Sequence, residues 1–281
     1  MSARAIRRRI LSGAMTGLVG LLCAAAVLPL VLIFADLLHK GATSIDWNFF
    51  VRTPVPIGQT GGGVAHAIVG SAIIVGTACL IGLPLGIGAG IYLAEYGTGR
   101  LGWTVRFVAD VLNGTPSIVI GILAWTWFVR PVGHFSALAG SVALAMLMVP
   151  MVARTTEEMV RLVPHSLREA ALALGYPRWR TSLQVVVRTA VAGIVTGALV
   201  AVARIAGETA PLLFTALGNL NFSLSLGHPM QALPLQIFTY ATGPFEEWHR
   251  LAWASALVLM ALVLLLSTAA RWATRQRYGT R

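Results

Sequence analysis

Six long apolar stretches constrain the fold of this chain more than any other feature, because each is long enough to cross a lipid bilayer. A transmembrane helix needs about 20 predominantly apolar residues. The stretches cover residues 10–37, 66–94, 104–129, 134–153, 183–206 and 250–270. Hydrophobic residues make up 57% of the 281 residues and the mean hydropathy is +0.77, which exceeds what one water-soluble core buries. The sequence therefore predicts an all-α integral membrane protein with six transmembrane helices.

The positions of lysine and arginine predict how the spans are oriented, since cytoplasmic loops retain positive charge. With the N-terminus inside, the inner segments hold most of the arginines, from Arg4 at one end to Arg281 at the other. The outer segments hold only Lys40, Arg52, Arg130 and Arg250. Both termini are therefore predicted to be cytoplasmic. The net charge of +11 does not indicate nucleic-acid binding, because the basic residues fall between apolar spans and not on one solvated face.

The first span follows the basic run RAIRRR, which raises the alternative of a cleaved signal peptide. Its apolar run is longer than a signal-peptide core of about 7 to 15 residues, and no convincing cleavage site closes it. We therefore expect a retained first helix. Residues 1–63 then hold the N-terminal tail, this helix and an outer loop, and residues 64–281 hold a core of five helices with a cytoplasmic loop at about 154–182. The proline-broken outer segment 207–249 can hold short re-entrant or interfacial helices.

Motifs for covalent or metal chemistry are missing from the sequence. The phosphate-binding pattern GxxxxGK[ST] does not occur, so any ATP must be bound by another subunit. Cys23 and Cys79 lie in apolar runs, and the six histidines are scattered without the spacing of metal ligands. The sequence thus predicts neither an enzyme nor a metal protein.

A charged, alanine-rich segment separates the fourth and fifth spans. Ser166 is the predicted N-cap, with Glu169 three positions on, and Gly175 followed by Pro177 predicts a helix stop. A short helix with one apolar stripe is therefore expected over about 167–174. Because so short a helix is not stable alone, it must either dock on a partner or lie on the lipid headgroups.

The stretch EAALALG in this segment resembles the EAA loop of ABC importer permeases, where Glu-Ala-Ala is followed after three residues by Gly. The family's later Ile-x-Leu-Pro aligns with residues 185–188, where Arg188 replaces the proline. We therefore expect the fifth span to enter the membrane without the usual kink, with Arg188 at the headgroups. The resemblance implies a coupling helix that docks in a groove of a separate ATPase subunit. Its expected coupling residues are Leu167, Arg168, Glu169, Ala170, Ala171, Leu174 and Gly175.

Other stretches resemble one subfamily, the PstA-type permeases of phosphate importers. They include GTPSIVIGI at 114–122 and RIAGETAPLLFTALG at 204–218, and the resemblance covers about residues 64–272. It implies a type I ABC importer permease of MetI-like architecture in a bacterial inner membrane. The implied partners are a PstC-like second permease subunit, a PstB-like ATPase dimer that binds ATP and Mg, and a PstS-like extracytoplasmic phosphate-binding protein. No cofactor is expected on this chain itself.

Ionisable and hydroxyl side chains in or beside the spans are the candidates for an anion path. Arg204 and Glu208 are four apart, so on a helix they share a face and can pair, and a guanidinium suits the oxygens of phosphate. The same two residues can instead form a purely structural ion pair, and the hydroxyls around Pro116 can instead join helices to each other. The candidates for the anion path or gate are Arg204, Glu208, Thr209 and Ser117.

Two expectations concern helix packing. Gly82, Gly86 and Gly90 are four apart and form a stripe of small residues, which favours close helix packing. Residues 155–158, Thr-Thr-Glu-Glu at the inner end of the fourth span, are expected to be a solvated helix end.

Three alternatives to phosphate import remain open at the level of sequence. The first is a permease for another oxyanion, such as molybdate, sulfate or phosphonate. The second is an ATP-independent secondary transporter, against which the EAA loop argues. The third is a membrane scaffold that transports nothing.

Overall fold

The computed structural model describes residues 3–56 and 61–275, and the regular structure in this part of the chain is helical. The helices are α1 (Ala3–Ala42), α2 (Trp47–Val51), α3 (Ala65–Glu95), α4 (Arg100–Gly114), α5 (Ser117–Val132), α6 (Ala137–Arg161), α7 (His165–Ala173), α8 (Arg178–Ala206), α9 (Ala210–Thr215), α10 (Leu233–Ala241) and α11 (Glu246–Arg275). Helices α5 and α8 each contain a π-helical turn, at Trp125–Val129 and Thr181–Val186. Arg277 and Arg281, two of the predicted inner arginines, lie outside the described residues.

Helices α1, α3, α6, α8 and α11 are each long and apolar enough to cross a membrane, and the pair α4–α5 makes a sixth span when counted as one. This pair corresponds to the predicted span 104–129, in which Pro116 favours a bend, and α4 and α5 meet at an angle of 107°. Pro116 explains the break. It restricts Thr115 to extended backbone, with φ −77° and ψ 133°, so α4 cannot continue.

Helices α3 and α6 form the central packed pair of the bundle. Gly82, Gly86 and Gly90 are buried on the face of α3 that meets α6. A Cβ built on Gly86 would lie 2.8 Å from Cβ of Val152, which is closer than real side chains approach. The predicted small-residue stripe is therefore confirmed, and it lets the two backbones come close enough for dense packing.

The outer segment 207–249 is folded onto the outer ends of α3 and α6. It contains the short helices α9 and α10, and the loop between them supplies backbone acceptors to the first turn of α6. The amides of Ala137 and Leu138 donate to the carbonyls of His228 and Leu226, at 3.0 and 2.9 Å. These bonds satisfy donors that a helix start leaves unpaired. The amide of Leu233 also donates to Ser71 Oγ on α3, at 2.7 Å.

Helix α1 lies beside the bundle and contacts α11 near its own C-terminal end. Leu37 is buried there, and a Cβ on Gly41 would lie 2.9 Å from Cβ of Leu257. The ammonium of Lys40 lies 4.8 Å from the centre of the Trp253 ring, a cation–π distance. Apolar side chains between residues 11 and 34 are exposed, so most of α1 is left to lipid or to another subunit.

The glycine stripe generates a prediction with a matched control on the same helix. A Cβ on Gly90 would lie 2.5 Å from the carbonyl oxygen of Ala153 and 2.6 Å from Cβ of Thr156, whereas one on Gly88 would meet nothing within 4 Å. We expect Gly90→Ala to destabilise the purified permease by about 1–3 kcal/mol through overpacking. Gly88→Ala should leave stability unchanged or slightly higher, because Ala favours helix. Thermal unfolding in detergent, followed by tryptophan fluorescence, compares the two. Equal stabilities would contradict the packing assigned to Gly90.

Candidate functional site

Helix α7, between the fourth and fifth predicted spans, begins earlier than predicted and ends where predicted. It starts at His165, directly after Pro164, and has no side-chain cap, so the prediction of Ser166 as N-cap was wrong. At the other end Gly175 has a φ of +83°. The amide of Tyr176 donates to the carbonyl of Ala171 at 3.2 Å, and that of Gly175 to Leu172 at 2.9 Å. This pair of bonds is a Schellman motif, which holds the chain in a tight turn after α7.

Helix α7 presents an apolar surface that its own chain does not cover. Of the predicted stripe, Ala171 is buried, while Leu174 is 80% exposed. Glu169 and Ala170 are exposed as well. We call this the α7 surface; its large apolar members are Leu162, Leu167, Leu172, Leu174, Tyr176 and Trp179. Contiguous exposed apolar side chains on a soluble loop indicate a contact with another protein or with a membrane.

Arg168, which the sequence groups with the coupling residues, has its guanidinium directed into this chain. Its Nη2 and Nε donate to Glu95 Oε1 at 2.9 and 3.1 Å. Nη2 also donates to the carbonyl of Val160 at 3.0 Å, and Nη1 donates to that of Val163. Ser182 Oγ donates to the second oxygen of Glu95 at 2.8 Å. Arg168 therefore fixes α7 to the inner ends of α3 and α6.

Glu95 is a functional candidate that the sequence reasoning missed. It is the last residue of α3 and the sole acidic residue between Asp46 and Asp110. A lone carboxylate at the inner end of a span, on the side where arginines accumulate, is the signal that was available. What it pairs with depends on how the loops fold, and the sequence does not show that.

A second buried carboxylate lies at the inner end of α6. Glu157 is 1% exposed and pairs with three arginines. The nitrogen–oxygen distances are 2.6 Å to Arg106, 2.7 Å to Arg161 and 3.2 Å to Arg154. The expectation of a solvated helix end was therefore wrong for Glu157, and Thr156 is buried too.

The reason for this burial is the course of α4. After the turn at the end of α3, α4 packs along the inner half of α6 and brings Arg106 to Glu157. The same guanidinium donates to the carbonyls of Gly97 and Leu93, at 2.8 and 2.6 Å. Arg106 thus joins the inner ends of α3, α4 and α6.

The four anion-path candidates lie at the junction of α8 and α9 and at the start of α5. Arg204 is in the last turn of α8, and its Nε lies 3.7 Å from Oε1 of Glu208. Since α8 ends at Ala206, the two residues pair across a helix end and not along one helix. Arg204 is 59% exposed and Glu208 18%, so the guanidinium remains accessible to a further partner.

Ser117 and Thr209 are partly buried near this junction. Helix α9 packs on α5, where a Cβ on Gly121 would lie 2.8 Å from Cα of Pro211. This contact brings the first turns of α5 beside the α8–α9 junction. Within the described ranges neither hydroxyl is hydrogen-bonded to Arg204 or Glu208, and no group of three or more His, Cys, Asp or Glu side chains is placed to hold a metal ion.

The region containing these features matches a known protein family. The family described as "Binding-protein-dependent transport system inner membrane component" matches residues 86–277. This chain belongs to that family. It is accordingly a multi-pass inner membrane component of a transport system, and the matched part begins inside α3 and includes α4 to α11.

Relatives are similar over most of the chain. It is 49% identical over 245 residues to the phosphate transport system permease protein PstA of Yersinia pestis, covering 86% of this chain and 82% of the relative. It is 50% identical over 238 residues to PstA of Xylella fastidiosa strain Temecula1, covering 84% and 82%. It is 38% identical over 282 residues to PstA 1 of Mycobacterium tuberculosis, covering 97% and 92%.

Two solved structures share the fold. A methionine ABC transporter, MetNI, in an inward-facing conformation has a chain with a TM-score of 0.64 and 18% identity, covering 76% of this chain and 95% of its own. A bacterial alginate ABC transporter has a chain with a TM-score of 0.67 and 14% identity, covering 99% and 98%. The predicted all-α membrane fold of MetI-like architecture is therefore confirmed.

The buried cluster around Glu157 generates a prediction about stability. Glu157→Ala leaves three arginines without the carboxylate that they share. Because one partner of a buried charge network is removed, we expect a loss of about 3 kcal/mol in stability. The neighbouring Glu158 is 58% exposed, so Glu158→Ala should cost under about 1 kcal/mol. Thermal unfolding of the two purified variants measures both. A Glu157→Ala protein as stable as the Glu158→Ala protein would show that the cluster contributes little.

Proposed function

We propose that this chain is the membrane-spanning permease subunit of an ATP-driven importer of inorganic phosphate. The observation that carries the proposal is the similarity to PstA proteins from several bacteria over more than four fifths of the chain. That similarity includes the α7 surface and the α8–α9 junction, two places where the chain offers accessible groups to other molecules.

In this function the α7 surface docks into an ATPase subunit. A short helix with exposed leucines, held to the membrane helices by Arg168, presents apolar side chains of the kind that fit a groove. ATP and Mg bind to that ATPase and not to this chain, which lacks the GxxxxGK[ST] motif. The docking requires α7 to lie in the cytoplasm. The arginine-rich inner segments support that orientation, with both termini on the same side.

The remaining partners complete the pathway. A second, PstC-like permease subunit would supply the other half of the translocation path, and the exposed apolar side chains of α1 and α5 are available for such a contact. A PstS-like extracytoplasmic protein would deliver phosphate to the outer segment 207–249. Closure of the ATPase dimer would then push α7 and open the path outward.

At the α8–α9 junction, Arg204 is the group suited to an oxyanion. A guanidinium donates two parallel hydrogen bonds to phosphate oxygens. Glu208, which is acceptor-only when ionised, competes for the same guanidinium. A weak competing carboxylate favours release, which a transport path needs as much as binding. Ser117 and Thr209 offer hydroxyl donors beside the same junction.

Labelled phosphate uptake tests the proposal. Cells that lack their own phosphate permease subunit would receive this chain with its cognate partners, and excess sulfate or molybdate would serve as competitor. We expect uptake that requires both this chain and the ATPase and that neither competitor reduces. Inhibition by one competitor would assign a different oxyanion. Uptake that persists with an inactive ATPase would instead indicate a secondary transporter.

The docking role of the α7 surface predicts that a charge there prevents assembly. Leu174→Glu places a carboxylate on a side chain that is 80% exposed, so the fold of the permease should be unaffected. We expect the ATPase to be lost from the purified complex, because an unpaired charge in an apolar contact is costly. Trp47→Glu, at an equally exposed outer position, is the control and should retain the ATPase. Full retention of the ATPase with Leu174→Glu would refute the docking surface.

The role of Arg204 predicts a loss of uptake without a loss of protein. Arg204→Gln removes the charge from a mostly exposed side chain, so abundance in the membrane should stay normal while phosphate uptake falls at least about tenfold. Arg204→Lys keeps the charge but not the paired donors, and it should retain part of the uptake. Initial rates at several phosphate concentrations separate binding from turnover. Normal uptake by Arg204→Gln would make the Arg204–Glu208 pair purely structural.

A further inference from the structure

The carboxylate of Glu95 is the point at which three helices meet. Glu95 ends α3, Arg168 reaches it from α7, and Ser182 reaches it from the π-helical turn of α8. Each carboxylate oxygen accepts from a different helix, because Oε1 takes both bonds from Arg168 and Oε2 takes the bond from Ser182. All three side chains are buried or mostly buried. The side chain of Glu95 thus connects α3, α7 and α8.

The guanidinium of Arg168 is not part of the α7 surface. Its remaining hydrogen bonds run to the carbonyls of Val160 and Val163, next to the end of α6. The guanidinium is therefore fully occupied by acceptors of this chain. Helix α7 thus offers exposed apolar side chains to a docked protein, while the Arg168 side chain holds it to the membrane helices.

Apolar packing alone cannot hold α7 to the transmembrane helices. Ala171 is the sole buried residue in α7, and one buried alanine contributes little burial energy. Charge-assisted hydrogen bonds are stronger and more directional than apolar contacts. The ion pair with Glu95 is accordingly the main attachment of α7 to the transmembrane bundle.

We propose that Glu95 is a positioning residue for energy coupling, one that makes α7, the inner end of α3 and the start of α8 move as one rigid unit. Force applied to the α7 surface then reaches α3 through Glu95 and α6 through the close α3–α6 packing. Without the carboxylate, α7 would still dock on the ATPase, but it would shift relative to α3 and α8 when the ATPase pushes on it. The inference rests on the proposed function and adds to it a residue outside the EAA segment.

The test uses the complete transporter in proteoliposomes, with binding protein, phosphate and ATP. We expect Glu95→Ala to keep the ATPase bound and active, since the α7 surface is unchanged. Phosphate taken up per ATP hydrolysed should fall about tenfold, the effect of losing one buried charge-assisted contact. Glu95→Gln keeps the size and one acceptor, so it should fall between wild type and Glu95→Ala. Ser182→Ala removes only the bond to α8 and should cause a smaller fall.

Glu158→Gln is the matched control, because Glu158 is an exposed carboxylate near the end of α6, 3.8 Å from Arg154. It should leave the ratio of uptake to hydrolysis unchanged. Two results would overturn the inference. One is a normal ratio in Glu95→Ala. The other is loss of the ATPase from Glu95→Ala to the same degree as from Leu174→Glu, which would mean that Glu95 only maintains the docking surface.

A second readout does not depend on the transported anion. Spin labels at Leu80 on α3 and Ala173 on α7, both exposed positions, would be introduced after replacing Cys23 and Cys79 by serine. In the otherwise unchanged complex the distance between labels should stay constant on ATP binding, and in Glu95→Ala it should change and broaden. A distance that shifts equally in both proteins would overturn the rigid unit. Failure of the wild type to import phosphate would refute the proposed function and leave this comparison intact.

Discussion

The close approach of α3 and α6 is the constraint on which the rest of the structure depends. Inside a bilayer, helices gain little from burying apolar surface against each other, so association relies on packing at short range. The short distance between α3 and α6 is possible because the shared face of α3 carries glycines, which have no side chain, at Gly82, Gly86 and Gly90. The packing also places the inner ends of both helices together. Glu95 on α3 and Glu157 on α6 therefore lie where the arginine-rich loops must pass.

The arginines from which the orientation is predicted also hold one end of the helix bundle together. Arg106, Arg154 and Arg161 surround Glu157, and Arg168 pairs with Glu95. A buried carboxylate alone would be costly, and so would a cluster of guanidiniums alone. Pairing the carboxylates with the guanidiniums offsets the cost of burying either kind of charge. The positive charge from which topology is predicted thus also contributes to the tertiary structure.

Local signals in the sequence predicted more of the structure than long-range ones, although the local N-cap signal at Ser166 was wrong. The helix stop at Gly175 and the stripe from Gly82 to Gly90 depend on neighbouring residues, so composition and spacing revealed them. Arg168 is 73 residues from Glu95 and Arg106 is 51 residues from Glu157, and no local pattern encodes these two pairs. The break at Pro116 lies between these cases. Its position was evident from the proline, but its angle of 107° follows from the packing of α4 on α6.

Arg168 and Arg204 show how partners determine the role of one residue type. The guanidinium of Arg168 is saturated by a carboxylate and two carbonyls, so it can fix a helix but cannot take up a ligand. Arg204 has one carboxylate at 3.7 Å, beyond hydrogen-bond range, and its donors are otherwise free within the part of the chain that the structure describes. A saturated arginine transmits force, whereas an unsaturated one exchanges partners. In the proposed function, coupling and translocation need arginines in opposite states, and this chain offers both, with Arg168 on α7 and Arg204 in the last turn of α8.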